Sequence, residues 1–184
     1  MPEVKTIQAP LTDSDIAELR IGETVHISGT MYTARDAAHK RLVELIDAGE
    51  NLPLNLEGQI IYYAGPTPAK PGRVIGSAGP TTSGRMDPYA PKLIEKGLKA
   101  MVGKGIRGEN VVEAMKQWKA VYLAATGGAA ALISRSIQRV DIVAYEDLGA
   151  EAIRKLEVEC FPAIVVQDMY GGNLYEEGMK HYRR

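Results

Sequence analysis

A chain of 184 residues with one cysteine, one phenylalanine and one tryptophan is short of the parts that several kinds of protein need. The single thiol, Cys160, closes no disulfide within the chain and supplies no thiolate set for a metal. That usage fits a reducing compartment, and the cytoplasm is expected. No apolar run reaches the ~20 residues of a membrane helix, and the N-terminal segment carries no signal-peptide pattern. Neither sign of charge prevails: 22 Lys and Arg stand against 23 Asp and Glu for a net charge of −1. No global field therefore draws in nucleic acid, and the tyrosines do not interleave with a basic patch. What remains is an apolar fraction of 45%, enough for one domain over residues 1–184 with a real core and a frayed end at His181 to Arg184.

Taken in order, the chain reads as strands alternating with helices, an α/β pattern. Val4 to Ile7 suits an edge strand. Thr12, with Asp15 three residues on, predicts a capped short helix ended by Gly22. Thr24 to Thr30 alternates with Val25 and Ile27 on one face, which predicts a strand. His26 on that strand reads as a ligand or as a half-buried strand residue, and the second is favoured because no other histidine sits at ligand spacing. Thr33 is expected to cap a helix, with Asp36 at the capping-box position and Gly49 at its end. Further strands are expected at Gln59 to Ala64, Val74 to Ala78, Lys99 to Val102, Val121 to Ala125 and Val140 to Tyr145. Two more fall at Leu156 to Cys160 and Ala163 to Gln167, with Cys160 packed as a small apolar residue. Helices are expected at Met86 to Lys96, Glu109 to Lys119 and Ala129 to Ser136. The proline-rich Gly65 to Gly72 is an irregular loop.

Gly79-Pro80-Thr81-Thr82-Ser83-Gly84-Arg85-Met86-Asp87 packs three hydroxyls, an arginine and two glycines into nine residues. Between a strand and a helix, such a loop leaves backbone N–H groups for an anion, and Arg85 adds a fork that fits a carboxylate or phosphate. The plain alternative is a polar turn. Gly29 to Asp36 repeats the logic, and Arg35 opposes the helix dipole unless it meets an anion. Gly103-Lys104-Gly105-Ile106-Arg107-Gly108 spells GxGxxG, but about 20 residues on, where a ribose-binding acid is needed, stands Leu123 to Gly128. Nor is it a P-loop, since Gly105 follows Lys104. Arg35, Arg85 and Lys104 thus sit at strand ends, and three cations imply a multiply charged anion: most simply a dicarboxylate, with phosphate as competitor.

Those stretches resemble the beta subunit of class I fumarate hydratase, an iron–sulfur hydro-lyase family that includes the beta subunit of L(+)-tartrate dehydratase. The resemblance rests on Ser28-Gly29-Thr30 with Thr33 to His39, on Tyr62 to Pro66, on Gly79 to Asp87, on Gly103-Lys104-Gly105, on Gly127-Gly128 with Ala129-Ala130, and on Glu157-Val158-Glu159 before Phe161-Pro162-Ala163. It covers about Thr12 to Glu177. It implies a swivelling β/β/α three-layer domain, an alpha subunit that carries a 4Fe–4S cluster, and cytoplasmic heterotetramers. In isolation the chain can pair with itself as a homodimer through the face that the alpha subunit would cover. It also implies that Arg35, Arg85 and Lys104 bind substrate carboxylates with Thr82 and Ser83 beside them. Thr81 becomes the proton-transferring hydroxyl in the hydration of fumarate to L-malate. Tartrate as substrate, or a non-catalytic anion-binding domain, are the competing readings.

With one cysteine against the thiolates a cluster needs, the isolated chain is predicted to bind no cluster and to be colourless. Iron and sulfide analysis after anaerobic purification checks this; one cluster per chain would refute it.

Overall fold

The computed structural model describes residues 4–125 and 130–182. In chain order the elements are β1 Lys5–Ala9, α1 Asp13–Ala17, β2 Thr24–Thr33, α2 Asp36–Ala48, β3 Ile60–Tyr62 and α3 Ala90–Glu95. There follow β4 Ala100–Gly103, α4 Glu109–Trp118, β5 Val121–Ala124, α5 Ala130–Ser136, β6 Ile137–Ala144, β7 Ile153–Gln167 and α6 Leu174–Tyr182. Short 3₁₀ turns lie at Ser83–Met86 and Glu146–Glu151. No helix among the described residues is long and apolar enough to cross a membrane.

Strands β2, β3, β4 and β5 pair in parallel, in that order. The long β7 runs antiparallel to both β2 and β5, so the five strands close into a ring. β1 adds to β2 in parallel and β6 adds to β7 in antiparallel fashion. Period-two alternation sorts the side chains between two cores. Val25, Ile27, Ile60, Tyr62, Val102, Leu123, Leu156, Phe161 and Val165 meet in one. Ile61, Tyr63, Met101 and Tyr122, from the other face of the same strands, meet α2, α3 and α4 through Leu42, Leu93 and Val111 in the second. Burial on both faces explains why β3 to β5 read as continuous apolar runs.

The local signals at α1, β2, α2 and α4 hold. Thr12 and Asp15 form the reciprocal capping box, with Thr12 N–H donating to Asp15 Oδ2 at 2.7 Å. Gly49 ends α2 in the left-handed conformation. Five expectations are corrected. Val74 to Ala78 is no strand: Val74 is exposed, and Thr67 N–H and Ser77 carbonyl clip the stretch into the loop at 3.0 Å. Both edges of β3 are already taken by β2 and β4, so no edge is free for it. The helix expected from Met86 begins at Ala90, because Pro88 and Pro91 lack N–H groups and Pro91 is tolerated only in a first turn. Thr33 caps nothing; it is the buried last residue of β2, and its Oγ1 accepts from Arg154 N–H at 3.3 Å. The two strands expected after Leu156 are one strand of 15 residues. Within it Cys160 is exposed at φ 50°, not packed.

α6 was not anticipated, and the expected frayed end at His181 begins inside it. The turn expected at Thr126-Gly127-Gly128 lies outside the described residues.

Gly29 shows how tightly β1 is laid on β2. It sits at φ 99°, and a Cβ there would lie 2.6 Å from the Ala9 carbonyl oxygen. Gly29→Ala is predicted to destabilise the chain by roughly 2–4 kcal/mol, from left-handed strain plus overpacking. Urea unfolding of the two chains measures it; a difference below about 1 kcal/mol would show that β1 yields.

Candidate active site

Because β2 to β5 are parallel, their carboxyl ends share one edge, where open α/β sheets take ligands. β2 delivers Arg35 and Asp36 at the start of α2. β3 delivers Tyr63 and Ala64, and β4 delivers Gly103 and Lys104. The stretch from Pro80 to Ser83 is laid between the ends of β3 and β4. Ala64 bridges Pro80, and Thr82 bridges Lys104. Thr81 N–H donates to the Tyr63 carbonyl at 2.7 Å, and Ser83 N–H to the Lys104 carbonyl at 2.9 Å. Two of the N–H groups expected to be free for an anion are therefore occupied.

Arg35 and Arg85 converge. Arg35 Nη2 lies 3.8 Å from Asp36 Oδ1, and Arg85 Nη2 lies 3.2 Å from Asp36 Oδ2. A second acid, Glu151, reaches Arg35 Nη2 at 3.1 Å and accepts from Ala37 N–H at 3.3 Å. The Arg35 side chain is 21% exposed and that of Arg85 54% exposed, so Arg85 is the more accessible of the two. Arg35 Nε and Asp36 Oδ1 are buried with no hydrogen-bond partner among the described residues. Lys104 is exposed and forms no ion pair among the described residues. Thr81 is half-buried and Thr82 exposed.

Ser83 is different. It is fully buried, with its Oγ 2.8 Å from the Tyr122 hydroxyl, which also donates to the Gly105 carbonyl at 2.9 Å. Burial pushes the Tyr122 phenol well above its ordinary pKa, so it stays a donor. Gly103 makes this possible, since a Cβ there would lie 2.1 Å from Ser83 Oγ.

Four contributors escaped the sequence. Asp36 had been read only as a cap. Glu151 is distant in sequence from Arg35. Asp87 and Arg107 form a buried pair, Nε to Oδ1 at 2.7 Å, with the Arg107 side chain 0% exposed. The one signal for Arg107 was its place in the glycine-rich turn after β4.

The family model for the C-terminus of fumarase matches residues 3–178. The chain belongs to the fumarase C-terminus family. It is 42% identical over 173 residues to a protein provisionally named as the beta subunit of L(+)-tartrate dehydratase from Methanocaldococcus jannaschii, covering 91% of this chain and 89% of that one. It is 40% identical over 166 residues to the anaerobic class I fumarate hydratase of Escherichia coli, covering 89% of this chain but 30% of that protein. With a class I fumarate hydratase relative from Geobacillus stearothermophilus it shares 40% identity over 179 residues, 95% of this chain and 34% of the other. The chain thus spans about a third of those fumarate hydratases and nearly all of the tartrate dehydratase subunit.

Beneath the Arg35 stretch lies His39, fully buried. Its Nδ1 is 2.8 Å from the Arg35 carbonyl, which fixes the neutral tautomer with the proton on Nδ1. Its ring meets the edge of Tyr63 at 5.3 Å. Burial, with the Arg107 charge nearby, pulls its pKa down to about 4. The unfolded chain takes up that proton near pH 6.5 and the folded chain only near 4. The contribution is therefore complete above pH 6.5 and is lost as pH falls toward 4. Between pH 7 and 4.5 the native chain should lose about 2 kcal/mol more stability than His39→Gln. Denaturant midpoints at the two pH values check this; equal losses would place the proton elsewhere.

Proposed function

We propose that this chain is the beta-type half of a hydro-lyase that interconverts fumarate and L-malate together with an alpha-type partner chain. The observation that carries the reading is the convergence of Arg35 and Arg85 on one carboxylate, that of Asp36, at the same sheet edge where Thr82 bridges Lys104. A carboxylate already sits between the two guanidiniums, so the space and charge suit one from a substrate. Arg35 and Arg85 take one end of the dicarboxylate and Lys104 the other, with the Thr82 hydroxyl beside it. Thr81 handles the carbon-bound proton. In the dehydrating direction its deprotonated oxygen takes the proton, the C–H electrons form the double bond, and the hydroxyl on the neighbouring carbon leaves with its bonding pair; the proton on Thr81 then passes to it, giving water and restoring the Thr81 alkoxide. A threonine is a weak base at its free pKa, and the surrounding cations stabilise its deprotonated form and the aci-carboxylate that develops. Ser83 anchors the loop through Tyr122.

The 4Fe–4S cluster that the resemblance implies finds no ligand set on this chain, whose one cysteine is the exposed Cys160 on β7. The cluster is assigned to the alpha-type partner. The strand ring with α2, α3 and α4 on its outer face is read as the swivelling β/β/α domain, supported by cores on both faces of β3 to β5. Cytoplasmic heterotetramers are the expected form, and the beta-subunit relative of matching length supports the partner chain in it. That same relative favours a second reading, with L-tartrate as the substrate. Reconstitution with an alpha-type chain, assayed on fumarate and on tartrate, separates the two; turnover of neither would sink both.

Thr81→Val is nearly isosteric and is predicted to lower kcat by about 10²–10⁴ with little change in KM, the range for losing a general base. Arg85→Lys loses the fork and should raise KM strongly, lowering kcat as well if the fork stabilises the aci-carboxylate. Steady-state kinetics of the complex decide between them. Near-normal turnover in Thr81→Val would pass the proton to Thr82.

A further inference from the structure

Arg107 is a cation sealed beneath the site, and its side chain touches no solvent. It reaches Asp87 through Nε at 2.7 Å, the Tyr63 hydroxyl at 3.3 Å and Met101 Sδ at 3.3 Å. Its guanidinium carbon lies 5.2 Å from the centre of the Tyr63 ring and 5.0 Å from that of Tyr122. Each of these partners is fastened to a different part of the site. The Tyr63 carbonyl holds Thr81 N–H. The Tyr122 hydroxyl holds Ser83 and the Gly105 carbonyl, next to Lys104. Asp87 closes the 3₁₀ turn that carries Arg85, and its Oδ2 accepts from Gly108 N–H at 2.6 Å.

Stability alone is a poor reason for such a group. Burying an arginine costs several kcal/mol, and an apolar side chain of similar size often serves a core as well. A guanidinium offers several donors in a fixed plane, which a lysine point charge does not. We infer that Arg107 is a positioning residue for the proton transfer, fixing Thr81 and Lys104 relative to each other without touching the substrate. This rests on the hydro-lyase reading, because the spacing it fixes matters there: displacing a reacting group by about 1 Å can cost 10²-fold in rate.

Two measurements on Arg107→Lys test it. In the full chain alone, hydrogen exchange at Thr81 and Ser83 amides should quicken by about tenfold or more, while β5 and α2 amides change by less than about threefold. In the reconstituted complex kcat should fall by about 10- to 100-fold with KM within about threefold. In a Thr81→Val background the same substitution should lower kcat by less than about threefold, since its effect acts through Thr81. Unchanged exchange, a normal kcat, or an equal loss in both backgrounds would overturn the inference. If Arg107→Lys does not fold, Tyr63→Phe removes one guanidinium contact alone and should lower kcat by about 3- to 10-fold; a normal kcat there overturns it as well. A native complex inactive on both substrates would sink the hydro-lyase reading, and the exchange data would still decide whether Arg107 sets the loop.

Discussion

One strand has to serve three neighbours. β7 pairs with β6 over its first half, with β5 over its last residues, and with β2 along nearly all of its length. The change of neighbour is made at a bulge, where Ile27 faces Phe161 but Gly29 faces Val158. Cys160, in the left-handed region, turns the chain there, and its N–H is taken by Ser28 Oγ at 3.1 Å. Such a bulge bends a strand and adds twist, which is what closing a small ring requires. Closure also decides where the site can be. The antiparallel β7 brings its own beginning to the carboxyl ends of the parallel strands, with Arg154 facing Thr33. Glu151 precedes β7 by two residues, so ring closure is what carries it to Arg35.

The site that results is cationic but not bare. The pairs that Asp36 and Glu151 make with Arg35 are only partly exposed, and the cost of desolvating such charges offsets much of what pairing returns, so they explain little of the fold's stability. Their effect is on arrangement. Two guanidiniums close together repel unless an anion lies between them, and Asp36 supplies one when no ligand does. Under the proposed function, an incoming carboxylate would compete with an internal one rather than with water alone, which would favour a ligand with a second charge for Lys104. A doubly charged acid meets that condition and a monocarboxylate does not.

How far the sequence could be read follows from the range of the forces involved. The capping box at Thr12, the glycine stop at Gly49 and the alternation through Val25 and Ile27 are local, and each appears as expected. The Thr81 to Arg85 stretch was legible because hydroxyls, glycines and an arginine are concentrated in it. The errors arose where tertiary pairing decides. Val74 to Ala78 has the composition of a strand but no edge to join. Thr33 sits where a cap should be, yet β2 continues through it. Asp87 with Arg107 and Arg35 with Glu151 are contacts across 20 and 116 residues, and neither partner carries a mark of the other.

The closed ring also explains how one module serves differently built relatives. In the fumarate hydratases it corresponds to about a third of a longer chain, and in the tartrate dehydratase it is nearly the whole of a subunit. A domain whose core needed atoms from a neighbour could not be cut free in that way. Here the interior of the ring and the helix-covered face of β3 to β5 are both filled by the chain's own side chains. What the chain leaves open is the edge where Thr82, Arg85 and Lys104 are exposed. Cations held in water are weakly felt, because the solvent screens them. Covering that edge would strengthen every one of these charges without moving any of them. Under the proposed function, a partner that covered this edge would contribute the exclusion of water as much as further groups.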